Sequence, residues 1–159
     1  MKRMLFFIGS FLPFIAFASD WHFVGCDDWM HAVFYDITSV SRTNENTVKA
    51  KVSLIEHENS KDDVLVSLWE IDKTKKRMRI IKASGYKNKK VLGTEMGTSD
   101  WKDVVPNTFG AAIFDCVVNL KKSENHYSGS DDGLIRLGRK LSKEIILEEL
   151  LIYSGHSTQ

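Results

Sequence analysis

The sequence predicts an α+β protein: an antiparallel sheet of about six strands with a helix packed on one face, followed by a C-terminal helical tail. Three observations carry that prediction. In "NTVKAKVSLIE", Val48, Ala50, Val52 and Leu54 fall on one face of an extended chain while Thr47, Lys49, Lys51 and Ser53 fall on the other. Weaker alternations of the same kind recur on both sides of it, separated by short connections that suit an antiparallel meander. From Pro106 onward the apolar period changes from that of a strand to that of a helix.

The chain opens with three parts of an export signal: Lys2 and Arg3, an apolar run from Met4 to Phe17, and small residues at Ala16 and Ala18. They predict a signal peptide over 1–18, with the cut before Ser19. Val24-Gly25-Cys26 offers a second, lipid-attaching cut, but Asp20, Trp21 and His22 separate it from the apolar run. The run is shorter than the ~20 residues of a spanning helix, so no integral membrane span is expected after cleavage. The exported product is expected in the periplasm, on the outer-membrane surface or secreted.

Of 159 residues, 141 remain after removal of the first 18, enough for one domain with its own core. Residues 19–72 carry 4 Lys/Arg against 11 Asp/Glu, and residues 73–118 carry 10 against 4. Net charge therefore names no partner, but its distribution is uneven.

Strands are expected over 21–26, 30–38, 46–57, 65–72, 76–87 and 90–96. A helix is expected over 108–118, capped by Thr108, with Phe109, Ile113, Cys116 and Leu120 on one stripe. Gly110 weakens that helix but allows close approach to a sheet. Residues 121–133, "KKSENHYSGSDDG", read as a flexible linker. A second helix over 134–153 follows, with a stripe of Leu134, Leu137, Leu141 and Ile145 that requires a docking surface.

No pattern spells a reaction. "EHE" at 56–58 lacks the second histidine of a helical zinc motif, and no aspartate pair has calcium-loop spacing, so neither metal nor cofactor is expected. Nucleophile and phosphate-loop motifs are absent from the sequence. Cys116 and His126 form a weak thiol–base pair on paper, and a structural cysteine is the simpler reading.

The basic run "KTKKRMRIIKASGYKNKK", residues 73–90, holds nine Lys/Arg and no acid. It reads most simply as a solvated face balanced by the acidic first half. The sharper alternative is a ligand-binding surface of Arg77, Arg79, Lys82, Lys87, Lys89 and Lys90 for a protein or anionic glycan. Tyr86 is the run's only aromatic, so nucleic acid is not the expected partner.

In order, "WHFVG", "AVFYDITSVSR", "NTVKAKVSL", "SLWEIDK", "KKRMRI", "SGY" and "WKDVVPNTFGAAIFDCV" resemble the bacterial surface-adhesin protein E family over about residues 21–118. The resemblance implies a sheet of about six strands with one helix, dimer formation, and a binding rather than catalytic role toward host matrix or serum proteins. A small periplasmic enzyme, or an inhibitory or structural module of the envelope, is the alternative. Where the family has a cysteine after Glu-x-Asp this chain has Lys73, leaving Cys26 as the only replacement partner for Cys116. Two cysteines in an exported chain are most simply a disulfide, so a Cys26–Cys116 bridge is expected.

Overall fold

The computed structural model describes residues 19–56, 63–88, 90–129 and 131–155. The expected signal segment, His57-Glu58, Asp62 and Lys89 lie outside these residues.

Six long strands follow in sequence: β1 (Asp20–Cys26), β2 (Ala32–Arg42), β3 (Thr47–Ile55), β4 (Val64–Asp72), β5 (Arg77–Lys87) and β6 (Lys90–Met96). Each pairs antiparallel with the next. Two short strands extend the sheet to eight. β7 (Lys102–Asp103) pairs with the start of β5, and β8 (His126–Ser128) pairs with β1, giving the order β6-β5-β4-β3-β2-β1-β8. The sheet of about six strands therefore becomes one of eight, and the expected linker carries a strand. What looked flexible in 121–133 is a strap whose backbone bonds to the open edge of β1: Asp20 faces Ser128, Trp21 faces Tyr127 and His22 faces His126.

Alternation along the strands divides the sheet into two apolar faces. Val33, Tyr35, Val48, Ala50, Val52, Ile71 and Met78 form one core, closed by Ile113 and Val117 of helix α1 (Phe109–Asn119). Ala32, Phe34, Ile55, Val64 and Trp21 form the other, closed by Leu134 and Leu141 of helix α2 (Asp131–Gly155). A helix thus covers each face, and the strap carries the chain from one face to the other around the edge of β1.

Helix α1 begins and ends as local chemistry dictates. Thr108 caps α1 by accepting the Ala111 N–H at 3.3 Å. At the other end Leu120 adopts a left-handed conformation (φ 52°), its N–H donating to the Cys116 carbonyl, so Leu120 leaves the apolar stripe and is 50% exposed. Ile113 and Val117 are the buried centre of that stripe, while Phe109 and Cys116 flank it. A Cβ on Gly110 would lie 2.8 Å from the Met78 side chain, which is the close approach that the glycine permits.

The second helix docks as its stripe requires, with Leu134 and Leu141 buried and Leu137 packed beside them. At Gly138 its backbone presses on β3, where a Cβ would stand 2.7 Å from Cγ1 of Ile55. Arg139 donates to the Glu56 carbonyl at 3.3 Å and pairs with Asp63 at 3.0 Å, tying the helix to both ends of the β3–β4 connection. No described helix is long and apolar enough to cross a membrane.

Candidate binding face

The basic residues singled out from the sequence separate into two groups. Register places Arg77 opposite Asp72, Arg79 opposite Glu70 and Lys82 opposite Leu68, so these three cations share the sheet face on which α2 lies. Lys87 and Lys90 pair with each other across the β5–β6 hairpin. Eight residues separate Arg79 from Lys87, or ~26 Å along a strand. The five described residues do not make one surface, and the Arg77–Lys82 end is the one with organised geometry.

That end is a ladder of alternating charge across three strands. Lys49 of β3, Glu70 of β4 and Arg79 of β5 are successive cross-strand neighbours, with Glu70 in the middle. Arg79 holds the Glu70 carboxylate through Nη2 at 2.6 Å and Nε at 2.8 Å, and Lys49 reaches it at 3.6 Å. Glu70 is 7% exposed, so two cations are the compensation that its burial demands. Arg77 donates to Asp72 at 3.3 Å. The Lys75 backbone N–H, then Arg77, hold the Asp72 carboxyl below its usual range against the opposing effect of burial.

Trp101 completes the arrangement from a distant part of the sequence. After β6 the chain turns back along β5, where the Ser99 N–H donates to the Ile80 carbonyl at 2.8 Å and the Ile80 N–H donates to the Ser99 hydroxyl at 3.0 Å. The indole of Trp101 then lies under both arginines, 4.6 Å from the Arg77 guanidinium and 4.4 Å from that of Arg79. One ring fixes two planar cations whose carboxylate partners sit in the strand beside them. The main contacts of α2 are with β2, β3 and β8, and the Arg77 and Arg79 side chains stay 29% and 31% exposed.

Sequence reasoning found the arginines and missed what organises them. Alternation already put Lys49 and Lys51 on the polar side of β3, and Glu70 was visible in "SLWEIDK". The placement of Trp101 depends on the return of 97–101 along β5, which has no periodic signal.

A second group of titratable side chains occupies the β1–β8 edge. His22, 3% exposed, donates from Nε2 to Asp20 at 3.2 Å and accepts the Ser123 N–H on Nδ1 at 3.1 Å. His126 stacks on its ring at 5.4 Å between centroids. Burial raises the Asp20 carboxyl, but hydrogen bonds from Ser128 and His22 outweigh it and hold the group below its usual range. With both His22 nitrogens engaged inside the protein, the cluster stitches the strap to β1. No set of three or more His, Cys, Asp or Glu among the described residues is placed to hold a metal ion.

The cysteines require a correction. No disulfide joins Cys26 and Cys116. Cys26 packs with the α2-side core and donates to the Ser142 hydroxyl at 3.9 Å, whereas Cys116 lies on α1 beside the opposite core. The sheet stands between them, and the expected Cys26–Cys116 bridge is not formed. The two positions could not be ordered by face from the sequence, because the chain changes faces between them. Cys116 and His126 likewise form no hydrogen bond.

No family model, curated protein or solved structure matches this chain.

Proposed function

We propose that this is an exported, non-enzymatic binding protein of adhesin type, which engages an acidic protein or a sulfated glycan through the Arg77–Trp101–Arg79 end of the sheet. Host matrix or serum proteins, or other macromolecules of the envelope, are the partners this reading expects. The observation that carries it is the pair of guanidiniums held on one indole at 4.6 and 4.4 Å, each about 30% exposed. Held arginines lose little conformational freedom on binding, and their forks suit carboxylate and sulfate oxygens. The resemblance to the surface-adhesin protein E family supports the same reading, since "WKDVVPNTFGAAIFDCV" supplies both Trp101 and α1.

The charges bound what such a face can do. Arg77, Arg79, Lys49, Lys51 and Lys82 stand among Glu70, Asp72 and the buried Asp36, and Asp103 faces Arg77 from β7: five cations to four carboxylates. Attraction is therefore local and strongly screened, with a reach near the ~8 Å Debye length of physiological solution.

The test is retention of the purified protein on immobilised heparin and on matrix proteins across a salt gradient. Arg77→Gln with Arg79→Gln, and separately Trp101→Ala, are compared with a charge-matched control, Lys102→Gln with Lys122→Gln, after circular dichroism has shown each to be folded. Both site variants should elute at lower salt than the control. Elution of all three together would return the arginines to a structural role in holding Glu70 and Asp72.

A further inference from the structure

Beside α2, on the same sheet face but away from the arginine ladder, lies a cleft of about 260 Å³. Trp21 of β1, Val64 and Val66 of β4, Tyr86 of β5, and Leu134 and Ile135 of α2 supply its apolar lining, with Lys51 and Ser19 completing it. The cleft exists because α2 is seated elsewhere. Gly138 rests on Ile55, and the main contacts of the helix are with β2, β3 and β8, so the cleft opens along its flank beside β4 and β5.

Lys51 gives the cleft its polarity. Lys49, Arg77 and Arg79 of this face are each within ion-pair distance of a carboxylate. Lys51 is exposed and has no such partner among the described residues. Its cross-strand neighbour Asp36 is 1% exposed, and Oδ1 of that residue accepts from the Asp20 N–H and from both the N–H and the hydroxyl of Thr38. A single cation therefore borders an apolar recess. The volume falls short of the ~300–1,000 Å³ of sites that enclose drug-sized ligands, which limits the occupant to one short chain.

We infer that this cleft binds a small amphipathic anion, a medium-chain carboxylic acid, with its hydrocarbon against Trp21, Val66, Leu134 and Ile135 and its carboxylate at Lys51. The cleft shares Lys51 with the charges counted on the arginine face, but Arg77, Arg79 and Trp101 take no part in its lining. Hydrocarbon burial supplies most of the affinity, at about fourfold per methylene. The exposed lysine sets the sign of the head group, with a discrimination of about fivefold.

The experiment is isothermal titration of the purified protein with octanoate and with octylamine, which have the same chain and opposite charge. Octanoate should bind about fivefold more tightly than octylamine, and hexanoate about sixteenfold more weakly than octanoate. Lys51→Glu, at an exposed position, should invert the order of octanoate and octylamine. Ile135→Trp should fill the recess and abolish binding of both. Equal affinity for the two head groups in the starting protein and in Lys51→Glu, retained binding in a folded Ile135→Trp, or no heat with octanoate would each overturn the assignment. Should Ile135→Trp fail to fold, the inversion by Lys51→Glu decides the matter alone.

Discussion

Tyr35 shows how much one side chain can hold. It is fully buried, and its hydroxyl donates to the Lys121 carbonyl at 2.5 Å, which fastens the start of the strap to the centre of the sheet. Burial, with smaller effects of Cys116 and Asp20, pushes its phenol up to about 12 from 10.0. Between those values the folded protein keeps a proton that the unfolded chain releases, so stability falls as pH rises, by about 1.4 kcal/mol per pH unit. Denaturant titrations from neutral pH upward should show this alkaline limb. Tyr35→Phe should abolish it, at a cost of about 1–2 kcal/mol at neutral pH for the orphaned carbonyl. Glu70 makes the converse case. Arg79→Met leaves a buried carboxylate with only Lys49 at 3.6 Å, and the loss should be about 1–3 kcal/mol in the same assay. The thiols yield a chemical prediction. Intact mass under native, non-reducing conditions should show both cysteines reduced, and alkylation of Cys116 should be slow, because burial and the neighbouring Asp115 raise its thiol above the usual value.

Among the elements, α2 is the most sensitive to small changes. An alanine in place of a helical glycine ordinarily stabilises by about 1 kcal/mol. At position 138 the sign should reverse, since the new methyl would meet Ile55 at 2.7 Å, and lifting the helix should cost about 1–3 kcal/mol. Thermal melts of Gly138→Ala should show the loss. Asp63 joins three elements. It accepts the Asn88 N–H at 2.8 Å and the Arg139 guanidinium at 3.0 Å, and these bonds hold its carboxyl below the usual range. A carboxyl lowered in this way stabilises the fold above its unfolded value near ~4 and stops doing so as pH falls through the folded value. Asp63→Asn should therefore flatten the acid limb of stability against pH. Most of these elements were legible in advance. Val48, Ala50 and Val52 face one core as the alternation of β3 required, and Leu134 and Leu141 bury the stripe drawn for the tail. The three-residue strand at His126–Ser128 was not legible, because its pairing rests on a partner about a hundred residues away and not on periodicity. The division of the basic residues between two regions was not legible either, because adjacency in sequence does not reveal that Lys87 and Lys90 occupy the far hairpin.

At the scale of the whole molecule, two cores share one sheet, and each depends on a helix that arrives late in the chain. Removing residues 131–159 would uncover Trp21, Phe34, Ile55 and Val64 together, a patch too apolar to leave in water. The shortened protein should melt without cooperativity or associate, as read by calorimetry and sedimentation. The edges of the sheet differ in the same spirit. At one side the strap ends in three residues held by β1, too few to template another strand. At the other, β6 runs for seven residues with Val91 and Leu92 about half exposed. In the vocabulary of polymer chemistry the two ends of the sheet differ in reactivity: among the described residues β6 offers seven residues of edge, while β8 covers Asp20–His22 of the seven in β1. A second copy joining strand to strand should therefore add at β6, the longer of the two edges.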